Sequence, residues 1–279
     1  MRMNKDFVLN TKKNEKIRIT TYGYENLETA PCLIFVHGFK GFKDWGFWPY
    51  TGKFFADNGF FVLSFNFSHN GIGEGITEFT ELDKFADNTF SLELDELNEL
   101  IDAYLNNFFG MRKNNKIGIV GHSRGGGDAL IVASRRKEIS AVVTWAAVAN
   151  FNRYSERQAN EWRKNGFFEV LNTRTNQLMK LNVTLLDDIE QNKNDLLNLQ
   201  KALEKLNKPL LIIHGEQDLS VKIDEGEQIY NWSNKELTDF VKIKSAGHTF
   251  NITHPFVGSN PKFDMILQKT LNFFKQHLN

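Results

Sequence analysis

The chain has 279 residues, and its 34 Lys+Arg are balanced by 34 Asp+Glu. A formal charge of zero leaves no basic excess to neutralise phosphates, so no nucleic-acid partner is expected. An apolar content of 41% excludes a disordered or collagen-like chain, and the length suits one α/β core of about 250 residues.

The chain opens Met1-Arg2-Met3-Asn4-Lys5-Asp6 with no apolar core of signal-peptide length behind it, and no run reaches the 18 or so apolar residues of a membrane span. Cys32 is the single cysteine, which rules out an internal disulfide and a zinc–cysteine cluster. A soluble, reduced, cytoplasmic protein is expected.

Phe7–Leu9, a polar turn and the alternating Lys16–Thr20 predict an opening β-hairpin. Cys32–Val36 is a continuous apolar run of the kind found in strands buried on both faces. Similar runs follow at Gly59–Phe67, Ile117–Val120, Ser140–Ala149 and Leu210–Ile213, and Thr238–Lys244 reads as the last strand. Between them the apolar period becomes helical. Phe90, Leu94, Leu97, Ile101, Tyr104 and Phe108 recur at spacings of three and four, with Glu93, Asp95, Glu96, Glu99 and Asp102 expected on a solvated face. Further helical patterns cover Ala129–Arg136, Asp224–Trp232 and Phe263–Leu278. Strands alternating with helices predict a mostly parallel sheet covered on both sides.

Asn150–Asn207 breaks the alternation. It contains no Pro and a single Gly, and it shows no buried-strand run. So long a stretch without structure is improbable, and a mainly helical cap at 150–207 is expected on a core formed by 1–149 and 208–279.

The strongest chemical signal is Gly121-His122-Ser123-Arg124-Gly125, directly between a strand and a helix. This is a Gly-x-Ser-x-Gly nucleophile elbow in its structural context. Small residues flank the Ser because the sharp turn leaves no room for side chains against the neighbouring strand and helix. From about Ala30 onward the chain resembles the α/β-hydrolase superfamily. That resemblance implies a roughly eight-stranded sheet and a triad in the order Ser, Asp or Glu, His.

Asp218, in the loop after Leu210–Ile213, is the candidate acid, with Glu216 as the alternative. The preceding strand ends at Asn150 and offers no carboxylate. His248, behind the Gly247 turn, is the candidate base, and His254 the alternative. The resemblance also implies an oxyanion hole formed by the backbone N–H groups of Arg124 and of Phe39, within His37-Gly38-Phe39-Lys40-Gly41. This departs from the His-Gly-Gly-Gly loop of many lipases. His37 and His214, at strand ends, are expected to be structural.

Six aromatics lie between Phe39 and Tyr50, and an aromatic-walled entrance is expected from them and from the cap. Phe42, Trp45, His69, His122, Trp162 and Phe167 are the substrate-binding candidates, with Phe39, Phe47 and Phe168 also expected to face the pocket. The His-Gly-Phe loop, Ser elbow and modest cap resemble dienelactone-hydrolase-like and cinnamoyl or feruloyl esterase-like members; dienelactone hydrolases proper carry Cys where Ser123 stands. The expected activity is hydrolysis of a small to medium soluble carboxylic ester, without a cofactor. A peptidase, an acyltransferase and a triad-retaining sensor remain alternatives.

Overall fold

The structure is a computed structural model and describes residues 4–75 and 77–278. Met1, Arg2 and Met3, part of the stretch read above for a signal peptide, lie outside the described residues. β1 (Lys5–Asn10) and β2 (Lys16–Tyr22) form the expected hairpin, with Ile17 and Ile19 turned into the core. β3 (Cys32–Val36) is buried at every position, as a strand covered on both faces must be.

The chain then folds α1 (Trp48–Asp57), β4 (Phe61–Asn66), α2 (Leu82–Ala86), α3 (Phe90–Leu105), β5 (Ile117–His122), α4 (Arg124–Arg135) and β6 (Ile139–Trp145). The aromatic run after β3 is therefore only partly loop, because Trp48 opens α1, helped by Pro49 in its first turn. Beyond residue 150 come α5 (Glu156–Asn165), β7 (Phe167–Asn172), β8 (Gln177–Asn182), α6 (Val183–Asn192) and α7 (Leu199–Lys205). The chain closes with β9 (Leu210–Gly215), α8 (Ile223–Trp232), β10 (Thr238–Ile243) and α9 (Pro261–Leu278).

Eight strands form one sheet in the order β1-β2-β4-β3-β5-β6-β9-β10. Only the β1–β2 and β2–β4 pairs are antiparallel. The parallel remainder brings the carboxyl ends of β3, β5 and β9 to one edge, where loops in such sheets carry ligand sites. α1 and α9 meet on one face through Phe55 and Phe274, and α4, flanked by α3 and α7, covers the other.

Two expectations are corrected. The 150–207 segment holds a β-hairpin beside its three helices, because β7 and β8 pair antiparallel, Phe167 opposite Asn182 through Asn172 opposite Gln177. The hairpin buries one side only: Met179 and Leu181 point in while Leu178 and Lys180 point out, a period-two pattern without the continuous apolar run of a central strand. Its turn, Thr173–Asn176, uses Asn176 at positive φ instead of Gly. The second correction concerns α3. Asp95 and Glu99 face outward to Lys13 and the Lys12 N–H, but Glu93 and Glu96 are buried. α3 packs against α4 and α6, so its covered arc is wider than one apolar stripe, and the two carboxylates on it are held by polar partners inside the protein.

Among the described residues, no helix is long and apolar enough to cross a membrane, and no cluster of three or more His, Cys, Asp or Glu could hold a metal ion.

Candidate active site

Ser123 sits between β5 and α4 at φ 57° and ψ −122°, a conformation that a non-glycine residue holds only when its surroundings enforce it. Three backbone hydrogen bonds do so: its N–H donates to Trp145, and its carbonyl accepts from Gly126 and Val148. The flanking glycines are required by contact. A Cβ at Gly121 would lie 2.3 Å from the Gly125 carbonyl oxygen, and one at Gly125 would lie 2.4 Å from that of His37.

Ser123 Oγ is 3.0 Å from His248 Nε2, and His248 Nδ1 is 2.7 Å from Asp218 Oδ2. Burial alone would raise the Asp218 carboxyl. Hydrogen bonds from His248 and from the Val221 and Ser220 N–H groups outweigh it and hold the acid below its ordinary value. An ionised Asp218 accepts from Nδ1–H, which leaves Nε2 free to accept the Ser123 hydroxyl proton. Glu216 is exposed, and His254 instead accepts from the Gly46 N–H and stacks on Trp45.

The loop after β3 lies directly against Ser123. A Cβ at Gly38 would come within 2.8 Å of Ser123 Cβ and 3.3 Å of its Oγ, so the backbone that leads into Phe39 passes close to the serine. Arg124 opens α4, and its N–H belongs to the first helical turn, where no intrahelical acceptor exists.

Three buried histidines tether the loops that carry these groups. His37 accepts from the Phe67 N–H through Nε2 and donates from Nδ1 to the Gly38 carbonyl. His122 Nε2 meets the His248 carbonyl at 3.0 Å, and His214 Nε2 meets the Val221 carbonyl at 2.8 Å. Burial keeps all three neutral, pushing His37 down to about 4 and His122 down to about 3 and lowering His214. A neutral ring offers one donor of fixed position, which suits a tether.

Ser123 and His248 open onto two adjoining cavities of about 300 and 320 Å³. Phe39 and Lys40 line both. Trp45 and His122, among the six sequence candidates, line the second. Phe42 is buried against Phe79 and His254, Trp162 against Tyr154 and Phe168, and Phe167 lies along Lys180; His69 contacts Ser68. None of these four lines the Ser123 cavities. Phe47, also expected at the pocket, is fully buried among Trp48, Trp145 and Phe263, and Phe168 packs on Tyr154 and Trp162. Phe39, expected at the pocket, does line it, and the rest of the first cavity's aromatic wall comes from Phe90, Phe151 and Tyr154. Phe90 reads in sequence as one more apolar position of α3, and only the packing of α3 beside α4 turns it toward Ser123.

Sequence reading also missed the cations. Lys40, Arg124 and Arg153 line the first cavity, Lys40 and Arg174 the second, and no Asp or Glu lines either. The Arg124 guanidinium stands 4.9 Å from the Phe39 ring and 5.0 Å from the Phe90 ring, with Nη2 2.5 Å from Glu93 Oε1.

An eight-stranded, mostly parallel sheet with a serine on the turn from β5 to α4 defines the α/β-hydrolase fold. The family model described as BAAT / Acyl-CoA thioester hydrolase C terminal matches residues 103–261, and the chain belongs to that family. No curated protein matches the chain in a sequence comparison. Among solved structures, the chain is similar to the α/β hydrolase GrgF from Penicillium sp. sh18, at 16% identity and TM-score 0.77 over 99% of each chain. It is also similar to Est1E from Butyrivibrio proteoclasticus with ferulic acid bound, at 16% identity and TM-score 0.72 over 97% of this chain and 98% of that one. The esterase domain of a Rhodothermus marinus protein matches at 16% identity and TM-score 0.67 over 99% and 100%. At these identities the shared property is the fold.

Proposed function

We propose that the protein is a serine hydrolase that cleaves carboxylic esters through Ser123, His248 and Asp218. The observation that carries this reading is the continuous hydrogen-bonded chain from Asp218 through His248 to a serine held at positive φ. His248 Nε2 takes the Ser123 proton as Oγ attacks the acyl carbonyl. The Phe39 and Arg124 N–H groups stabilise the oxyanion. His248 then gives its proton to the departing alkoxide, and the acyl group remains on Ser123. Water, deprotonated by His248, releases the carboxylic acid and restores the serine. The 150–207 segment acts as the cap: Asn172, Thr173 and Arg174 at the tip of the hairpin reach the second cavity.

Steady turnover of short p-nitrophenyl esters is expected, falling on the order of 10⁶-fold in Ser123→Ala. Faster cleavage of aminoacyl-anilides than of esters would assign a peptidase instead, and ligand binding without turnover a sensor.

A second reading has support of its own. The family description includes acyl-CoA thioester hydrolysis, and Lys40 and Arg174 give the second cavity a cationic lining suited to an anionic leaving group. Comparing kcat/KM for a CoA thioester and an ethyl ester of the same acyl group separates the two.

A further inference from the structure

The cations of the first cavity are each secured from behind. Arg153 is held by both oxygens of Glu225, at 2.7 and 2.6 Å, and by the Ser220 carbonyl. Lys40 donates to the Leu171 carbonyl. Arg124 lies near the Phe39 and Phe90 rings, its Cζ 4.9 and 5.0 Å from their centroids, with Nη2 on Glu93. Glu93 is supported in turn by Asn88 Nδ2 at 2.8 Å and by the fully buried Asp128. Burial, with the Glu93 carboxyl close by, pushes the Asp128 carboxyl well above its ordinary range.

Glu93 and the two rings hold the Arg124 side chain, and Arg124 lines the cavity beside Ser123 together with Phe39 and Phe90. A guanidinium has five N–H donors, and among the described residues that of Arg124 donates to Glu93 alone. A planar, preorganised donor pair in a partly apolar cavity matches a carboxylate in bidentate geometry. Ser123 and His248 line both cavities, but Phe90, Val148, Phe151 and Val221 line the first alone, and that apolar wall, with Arg124 in it, suits the acyl group.

We propose that the first cavity takes an acyl group ending in a carboxylate, read by Arg124, so that the substrates are half-esters of dicarboxylic acids. Hydrolysis adds one water to the ester and yields the dicarboxylate and the alcohol. The inference rests on Ser123 being the nucleophile.

The test measures kcat/KM for monoethyl esters of succinate, glutarate and adipate against the ethyl esters of the matching half-amides, which keep shape and lose charge. For at least one chain length the wild type is expected to prefer the carboxylate about tenfold or more, and Arg124→Gln to bring that ratio to near one. Competitive inhibition by free dicarboxylates against monocarboxylates of equal length repeats the comparison on the wild type alone, should Arg124→Gln fail to fold. A wild-type ratio near one with neutral esters still turned over overturns this inference and leaves the hydrolase standing. A preference that persists in folded Arg124→Gln overturns the role of Arg124. Absence of turnover of both esters together with unlabelled Ser123 overturns both readings.

Discussion

Ser123, Gly38 and Asp218 each act through a contact that one substitution isolates. Asp218→Asn keeps the shape of the acid but cannot hold the Nδ1–H tautomer of His248, and kcat for ester hydrolysis is expected to fall about 10⁴-fold with folding intact. Unchanged kcat would remove Asp218 from the mechanism. Gly38→Ala forces a methyl to within 2.8 Å of Ser123 Cβ, so the Phe39 N–H must move. A loss of about 10²-fold in kcat with little change in KM is expected, since the oxyanion forms only during reaction. At this scale the sequence was most readable. Gly121, Gly125 and the order Ser123, Asp218, His248 answer to backbone sterics and proton transfer, which tolerate few residue types. The choice of His248 over His254 followed from the loop after the last strand, and the geometry brings His248 to Ser123. Arg124 as a cavity residue was hidden because the motif accepts any side chain at that position.

Strands were readable where burial covers both faces and obscure where it covers one. β3, β5 and β9 were plain as apolar runs, whereas the locally paired β7–β8 shows only a short period-two pattern, and the inner carboxylates of α3 depend on partners far away in sequence. Glu96 illustrates the cost. Burial, against the hydrogen bonds from the Ser68 N–H and Oγ, raises its carboxyl to about 7. The folded state therefore binds this proton more tightly than the unfolded chain does. Its stabilising effect is complete below about pH 4.5 and is lost as pH rises to about 7. Relative to Glu96→Gln, the wild type should lose about 3 kcal/mol across that window, as measured by denaturant unfolding at a series of pH values. Parallel curves would show that Glu96 is ionised throughout. At the N-terminus of the same helix, the Thr89 hydroxyl accepts from the Leu92 N–H, and Thr89→Ala should destabilise the protein by about 1 kcal/mol in the same assay.

For the whole molecule, the sequence indicated the class of fold but misplaced Phe42, Phe47, Trp162, Phe167 and Phe168. Twenty-five Phe suggested a pocket lined by the run after β3, but nearness in sequence to the oxyanion loop carries no direction. Phe42 and Phe47 fold inward, because a ring buries more area in the packed layer with Phe79, Trp145 and Phe263 than at a solvated entrance. An aromatic-substrate preference thus rests on Phe39, Phe90, Phe151 and Tyr154 in the first cavity and Trp45 in the second. The hairpin is joined to the core near the site by the Lys40 contact to Leu171 and the Arg174 contact to the Lys40 carbonyl. In Arg174→Ala, limited proteolysis should cut faster within Thr173–Asn176 while the core stays resistant; equal cutting would show that the anchor lies elsewhere. The central claim, that Ser123 is the nucleophile, is tested most directly by labelling the folded protein with a fluorophosphonate and mapping the adduct by peptide mass spectrometry. One phosphonyl group on Ser123, absent in Ser123→Ala and slowed in His248→Ala, is expected. Equal labelling of wild type and Ser123→Ala, or an adduct on another residue, would contradict it.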